Sequence, residues 1–182
     1  MKLETDLARI KELAEQKDAE NQEFREHLKH SIVPSDELDA IVRRLHAYVS
    51  SKIDCRTCAN CCRELSPAFD RKDIARLAQA TGLSRDALAL EYLQETEEKG
   101  RYVPTRKPCP FLADKLCRHY DGRPESCLEF PFLHKPDFVT RSVMVLWTLP
   151  YCPIVYNVYE QLKATIAELE MLRRDAKEED IE

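Results

Sequence analysis

The sequence predicts a mainly α protein with a small irregular, partly β, cysteine-rich region: amphipathic helices packed around a cysteine cluster, with long N- and C-terminal helices. Three observations predict it. Apolar residues recur at helical spacing toward both ends; capping residues punctuate the stretch from Asp70 to Gly82; and residues 101–138 turn proline-rich, aromatic and extended among spaced cysteines.

Residues 3–29 read as one helix, with Leu3, Leu7, Ile10, Ala14, Phe24 and Leu28 on a heptad-like seam that Lys17 and Asn21 interrupt. Pro34 breaks it. Ser35 is the expected N-cap of a second amphipathic helix, "SDELDAIVRRLHAYVSSKI", whose buried stripe is Leu38, Ile41, Val42, Leu45 and Val49. This helix delivers the chain to Cys55.

Beyond the first cysteines, Asp70 caps a helix over 71–81, Gly82 suits its left-handed end, and Ser84 caps another helix through about Glu98, making a helical hairpin. In "CPFLADKLCRHYDGRPESCLEFPF", turn signals at "ADK" and "DGRP" separate short strands. "VTRSVMVLWTLP" is expected to add one more strand. A long helix follows in "YCPIVYNVYEQLKATIAELEMLRR", with Val155, Tyr159, Leu162, Ile166 and Leu169 on one face, and the acidic "DAKEEDIE" is expected to fray. The expected organisation is a helical arm and second helix over 1–49, a cysteine-cluster domain over 50–155, and a C-terminal helix with its tail over 156–182. The narrow seams of the terminal helices are expected to pack on each other or on a protein partner.

A net charge of -5 with 34% charged residues describes a mildly acidic chain, so neither nucleic acid nor a membrane surface is an expected partner. "DIARLAQATGLSRDALALEYL" has helix-turn-helix form, but its second helix continues as "RDALALEYLQETEEKG", whose acidic groups phosphate would repel. The opening "MKLETDLARIKELAEQKDAE" contains no apolar run suited to a signal peptide or membrane span, and a cytoplasmic location is expected. The three glycines, Gly82, Gly100 and Gly122, permit neither a GxGxxG fingerprint nor a phosphate loop.

The eight cysteines are Cys55, Cys58, Cys61, Cys62, Cys109, Cys117, Cys127 and Cys152. A reducing compartment disfavours structural disulfides, and crowded thiolates repel unless cations neutralise them; zinc and iron–sulfur clusters each do so with four thiolates. All eight are therefore candidate metal ligands. Iron, alone or as an iron–sulfur cluster, is slightly preferred over Zn²⁺, because C-x2-C-x2-C opens the bacterial ferredoxin pattern. The remote cysteine-proline pairs, Cys109-Pro110 and Cys152-Pro153, lie outside ferredoxin spacing, and the later cysteines repeat no zinc-ribbon knuckle.

Adjacent side chains diverge, so Cys61 and Cys62 are expected to differ in role: one a ligand, the other bridging, serving a second ion or remaining a redox thiol. Positive charge favours thiolates: Arg56 and Arg63 bracket the first cluster, and Arg101 to Arg141 holds eight Lys or Arg against five Asp or Glu. Arg123 is a candidate partner for a carboxylate or for the charge of the centre, and Pro110, Pro124 and Pro131 are expected to fix turns. The alternative class is a metal-dependent or thiol-redox enzyme. His119 and His134 are its candidate bases, no catalytic set has a defensible spacing, and catalytic residues stay unassigned.

"CRTCANCC", then "CPFLADKLCRHYDGRPESCLEFPF", then "YCPIVYNV" together resemble the YkgJ-type cysteine-cluster family, the CxxCxxCC domain described as zinc- or iron-chelating. The likeness covers roughly residues 50 to 155. It implies metal chelation by Cys55 to Cys62 and by Cys109, Cys117 and Cys127. A similar motif in flagellin lysine methylases implies protein modification as the enzymatic alternative. That activity is not carried over to this shorter chain, which lacks a glycine-rich cofactor loop.

Overall fold

The apolar seams near the two ends of the sequence form helices that pack on one another in a computed structural model, which describes residues 2–179. In chain order the helices are α1 (Leu7–Gln16), α2 (Asp18–Leu28), α3 (Ser35–Ser50), α4 (Cys55–Cys58), α5 (Asn60–Glu64), α6 (Arg71–Thr81), α7 (Arg85–Tyr92), α8 (Glu125–Leu128), α9 (Phe138–Thr148) and α10 (Pro153–Glu179). The strands are β1 (Leu93–Glu95), β2 (Tyr102–Pro104), β3 (Leu112–Ala113) and β4 (Leu116–Cys117). The fold is mainly α, with two small antiparallel pairs, β1 with β2 and β3 with β4.

The chain divides into two compact units, Met1–Ile53 with Pro131–Glu182, and Asp54–Phe130. Residues 131–155 fall in the unit of the terminal helices.

In the first unit α10 lies against α1 and α3, while α9 lies against α2 and α3. Ile10, Leu38, Ile41, Val42, Val49, Val155, Tyr159, Leu162 and Ile166 are buried at their seam positions, as the spacing predicts. The predicted single N-terminal helix is two. Lys17, at φ -99° and ψ 12°, leaves helical geometry, and its ammonium pairs with Glu160 of α10. The turn brings Asn21 inside, where its carbonyl accepts the Tyr159 hydroxyl at 3.0 Å. Ser35 is the first helical residue of α3, and Pro34 occupies the N-cap.

The expected strand in "VTRSVMVLWTLP" is instead the helix α9. Its β-branched composition favours a strand, but Phe138, Ser142, Val145 and Leu149 are buried at i, i+4, i+7 and i+11, which only a helix places on one face. Its N-terminus is capped from outside: buried Asp39 of α3 accepts the Asp137 and Phe138 N–H groups, each at 2.9 Å. The acidic C-terminal stretch continues α10 to Glu179; residues 180–182 of the predicted fraying tail lie outside the described residues.

In the second unit α6 carries the predicted cap at Asp70, and Gly82 closes it at φ 75°. Ser84 caps α7, which ends at Tyr92, short of the expected Glu98, because Leu93–Glu95 pairs as β1 with β2. Phe69, Ile74, Leu77, Ala78, Leu88, Leu93 and Phe111 form the core, and Cys109, Cys117 and Cys127 pack against its edge. Burying roughly one such side chain is worth about 1.5–3 kcal/mol, so this small core fixes the backbone that presents the three thiols.

Candidate metal centre

The four cysteines of this eight-residue stretch stand not on one continuous helix but on two short ones separated by a break. Asp54 accepts the Arg56 N–H at 2.9 Å and starts α4. Ala59, at φ 54°, then reverses the backbone into α5. Cys55 and Cys58 stand on one short helix, Cys61 and Cys62 on the next.

Three bonds join this segment to the downstream cysteines. The Cys109 N–H donates to the Cys62 carbonyl at 2.8 Å. Arg63 donates through Nη1 to the Cys58 carbonyl (2.9 Å) and through Nη2 to the Asp114 carbonyl (3.1 Å), so one guanidinium ties α4 to the β3–β4 turn. Lys107 donates to the Glu64 carbonyl at 2.6 Å. Cys117 then stands at the end of β4, paired in register with Leu112.

The stretch after Cys117 is shaped by close packing on α6. Residues Tyr120–Gly122 make a 3₁₀ turn, and a Cβ on Gly122 would lie 2.2 Å from the Ala80 Cβ, so only glycine fits. Arg123 folds back over the Tyr120 ring, 3.5 Å from its centroid, while its Nε donates to the Tyr120 carbonyl at 2.8 Å. Pro124 precedes α8, whose third residue is Cys127.

The thiols are electrostatically unequal. Cys62 is drawn down to about 7, first by the hydrogen bond from Cys61, whose sulfur is 4.0 Å away, and then by the charges of Arg123 and Arg63 against the opposing effect of burial. Burial pushes Cys109 up to about 11, with Cys62 and Cys117 adding to it. Burial pushes Cys127 up to about 12, with Cys62, Cys109 and Cys117 adding. Cys117 is raised by burial and by Cys62, and Arg123 opposes. Cys55 is surface-exposed, yet the protein behind it raises its thiol, with Cys58 next in effect and Arg123 opposing.

The Cys109–Cys62 main-chain bond and the common core under Cys109, Cys117 and Cys127 bring these four cysteines into one region, while Cys55 and Cys58 share α4. Among the described residues, no group of three or more His, Cys, Asp or Glu side chains stands in an arrangement ready to hold an ion. The donor chemistry nevertheless fits a thiophilic metal: seven thiols fall in Asp54–Phe130.

Cys152 belongs to the other unit, where it is buried and its carbonyl accepts the Tyr156 N–H at the head of α10. His119 stays in the cysteine unit, edge-on to Phe111 at 6.1 Å, whereas His134 stacks on His46 at 6.2 Å in the first unit. Two contributors escape the sequence reading: the carbonyl-bridging role of Arg63, and Asp73, whose carboxylate accepts the Glu125 N–H at 2.6 Å. Only the Asp70/Asp73 capping-box spacing hints at the second.

Fold and site define a mainly helical protein that carries a compact cysteine-cluster unit. A family model for the CxxCxxCC domain, described as "Putative zinc- or iron-chelating domain", matches residues 54–153, more than half of the chain. The chain belongs to that family. No curated protein and no solved structure matches it. Among the described residues no helix is long and apolar enough to cross a membrane.

Proposed function

We propose that the unit Asp54–Phe130 binds iron, with zinc as the competing metal, through Cys62, Cys109, Cys117 and Cys127, and that Cys55, Cys58 and Cys61 complete or extend the ligand set. Cys152 is the eighth candidate. The observation that carries this reading is the gathering of seven cysteines in one unit, with Cys109, Cys117 and Cys127 packed against one small core and the Cys109 N–H bonded to the Cys62 carbonyl at 2.8 Å. A bound cation would supply the positive charge that lets the protonated three ionise, and metal would then exchange for protons. Arg123 would balance residual negative charge. The C-x2-C-x2-C run favours iron, including an iron–sulfur cluster, and eight cysteine thiols suit a reducing cytoplasm.

Anaerobic purification followed by metal and sulfide assay and a visible spectrum tests the reading. Brown protein with inorganic sulfide supports an iron–sulfur centre. Colourless protein with stoichiometric zinc overturns the iron preference, and metal-free protein that is fully folded overturns both metals.

One observation favours a second reading, the 4.0 Å separation of the Cys61 and Cys62 sulfurs. As a thiol-redox enzyme the pair would close an S–S bond and pass two electrons and two protons to a disulfide acceptor, giving two thiols. Disulfide-reducing turnover by metal-free protein that is lost in both Cys61→Ser and Cys62→Ser would support the redox reading, while unequal metal loss in the two variants would support divided roles within the pair and equal loss would count against them.

A further inference from the structure

We infer that Asp73 is a positioning residue for Cys127, acting through the main chain at the head of α8. The inference rests on the metal-binding reading above for its functional meaning, but not for its geometry.

A four-residue helix cannot hold itself. Too few bonds repay its nucleation, and its leading N–H groups have no partner within the helix. α8 is held from outside. Its first N–H, on Glu125, donates at 2.6 Å to one carboxylate oxygen of Asp73, which is only 6% exposed. The other oxygen accepts the Asp70 N–H at 3.2 Å, while Asp70 in turn accepts the Asp73 N–H at 2.8 Å. One buried carboxylate thus serves the first turns of two helices that are 52 residues apart in sequence at this bond.

The neighbouring contacts act the same way. Gly122 lets the 3₁₀ turn settle on Ala80 of α6, and Arg76 of α6 reaches the Arg123 carbonyl at 3.4 Å. The Cys127 N–H completes the turn by donating to the Pro124 carbonyl at 2.9 Å. α6 is therefore the template on which the Arg123-Pro124 turn and Cys127 are laid down, and Asp73 is its bond to the cysteine-bearing helix itself.

The Asp70→Ala variant provides the control. It removes the side-chain cap of α6 but leaves the Asp73 bond to Glu125, so it shares the helix damage of Asp73→Ala without releasing α8. Two readouts on the full chain separate them: anaerobic Co²⁺ titration followed by thiolate-to-metal absorption, and, in metal-free protein, the iodoacetamide alkylation rate of Cys127 relative to Cys117 by mass mapping.

In Asp73→Ala the Co²⁺ affinity is expected to fall about 10- to 100-fold, the range typical of lost ligand-orienting partners, and the Cys127 to Cys117 ratio to rise at least about fivefold. Asp70→Ala is expected to stay within about twofold of wild type in both. Asp73→Asn keeps the shape but offers a neutral acceptor, so it falls between wild type and Asp73→Ala. If Asp73→Ala does not fold, Asp73→Asn decides. The inference is overturned if the deciding variant matches Asp70→Ala in both readouts. Should wild-type protein take up no cobalt, iron or zinc, the metal reading fails and the alkylation ratio alone judges Asp73.

Discussion

Cys62 at about 7 and its neighbours Cys109 and Cys127 at about 11 and 12 give one small neighbourhood thiols of very different proton affinity. At neutral pH one is half-ionised and the other two are protonated. Metal-free protein should therefore be alkylated fastest at Cys62, with a rate-versus-pH midpoint near 7. Because the Cys61 thiol is the largest cause, Cys61→Ala should move that midpoint upward by more than Arg123→Gln or Arg63→Gln does. A midpoint unmoved by Cys61→Ala would show that the hydrogen bond is absent in solution. The same residues explain why the site was only half legible in the sequence. Cysteine identity and spacing mark the candidates, but Arg63 meets Asp114 51 residues away, a contact that no local pattern encodes.

At the scale of elements, close approach and external capping matter more than propensity. Gly122 against Ala80 predicts that Gly122→Ala destabilises the cysteine unit by about 1–3 kcal/mol through overpacking, and that adding Ala80→Gly recovers part of the loss. Strict additivity in denaturant melts would show that the two do not touch. Asp39 offers a parallel case in the helical unit. Asp39→Ala leaves two N–H groups at the start of α9 without their acceptor and should cost about 1–3 kcal/mol in thermal or denaturant unfolding.

Helix α6 is legible in the sequence because Asp70 and Gly82 are local signals. Helix α9 is not legible in the sequence because Val139, Val143, Val145 and Trp147 favour strands, whereas its burial period of Phe138, Ser142, Val145 and Leu149 follows from tertiary packing. The break at Lys17 was visible as an interrupted seam, but its pairing with Glu160 of α10 required the fold.

Across the whole molecule, the thiols make stability depend on alkali. The unfolded chain releases cysteine protons near 9.0, while folded Cys109 and Cys127 hold theirs to about 11 and 12. Their contribution is complete below pH 9 and is lost as pH rises through the folded values, because the unfolded state then binds fewer protons. Cys62 runs the other way: its contribution is present above 9 and is lost as pH falls through about 7. Tyr159, pushed up by burial, reinforces the alkaline loss. The melting temperature of metal-free protein should fall between pH 9 and 11, and a bound metal, by replacing thiol protons, should blunt that fall in calorimetry. A flat profile in the metal-free form would contradict the buried, protonated state of Cys109 and Cys127.

The unit Asp54–Phe130 is one unbroken stretch, while the helical unit is assembled from segments on either side of it. During translation, the whole of the cysteine unit has emerged once residue 130 clears the ribosome, at a stage when α10, the principal partner of α3, has not yet emerged. Biosynthesis thus exposes seven of the eight thiols before the helical unit is complete, so that under the proposed metal-binding reading loading need not wait for the rest of the chain.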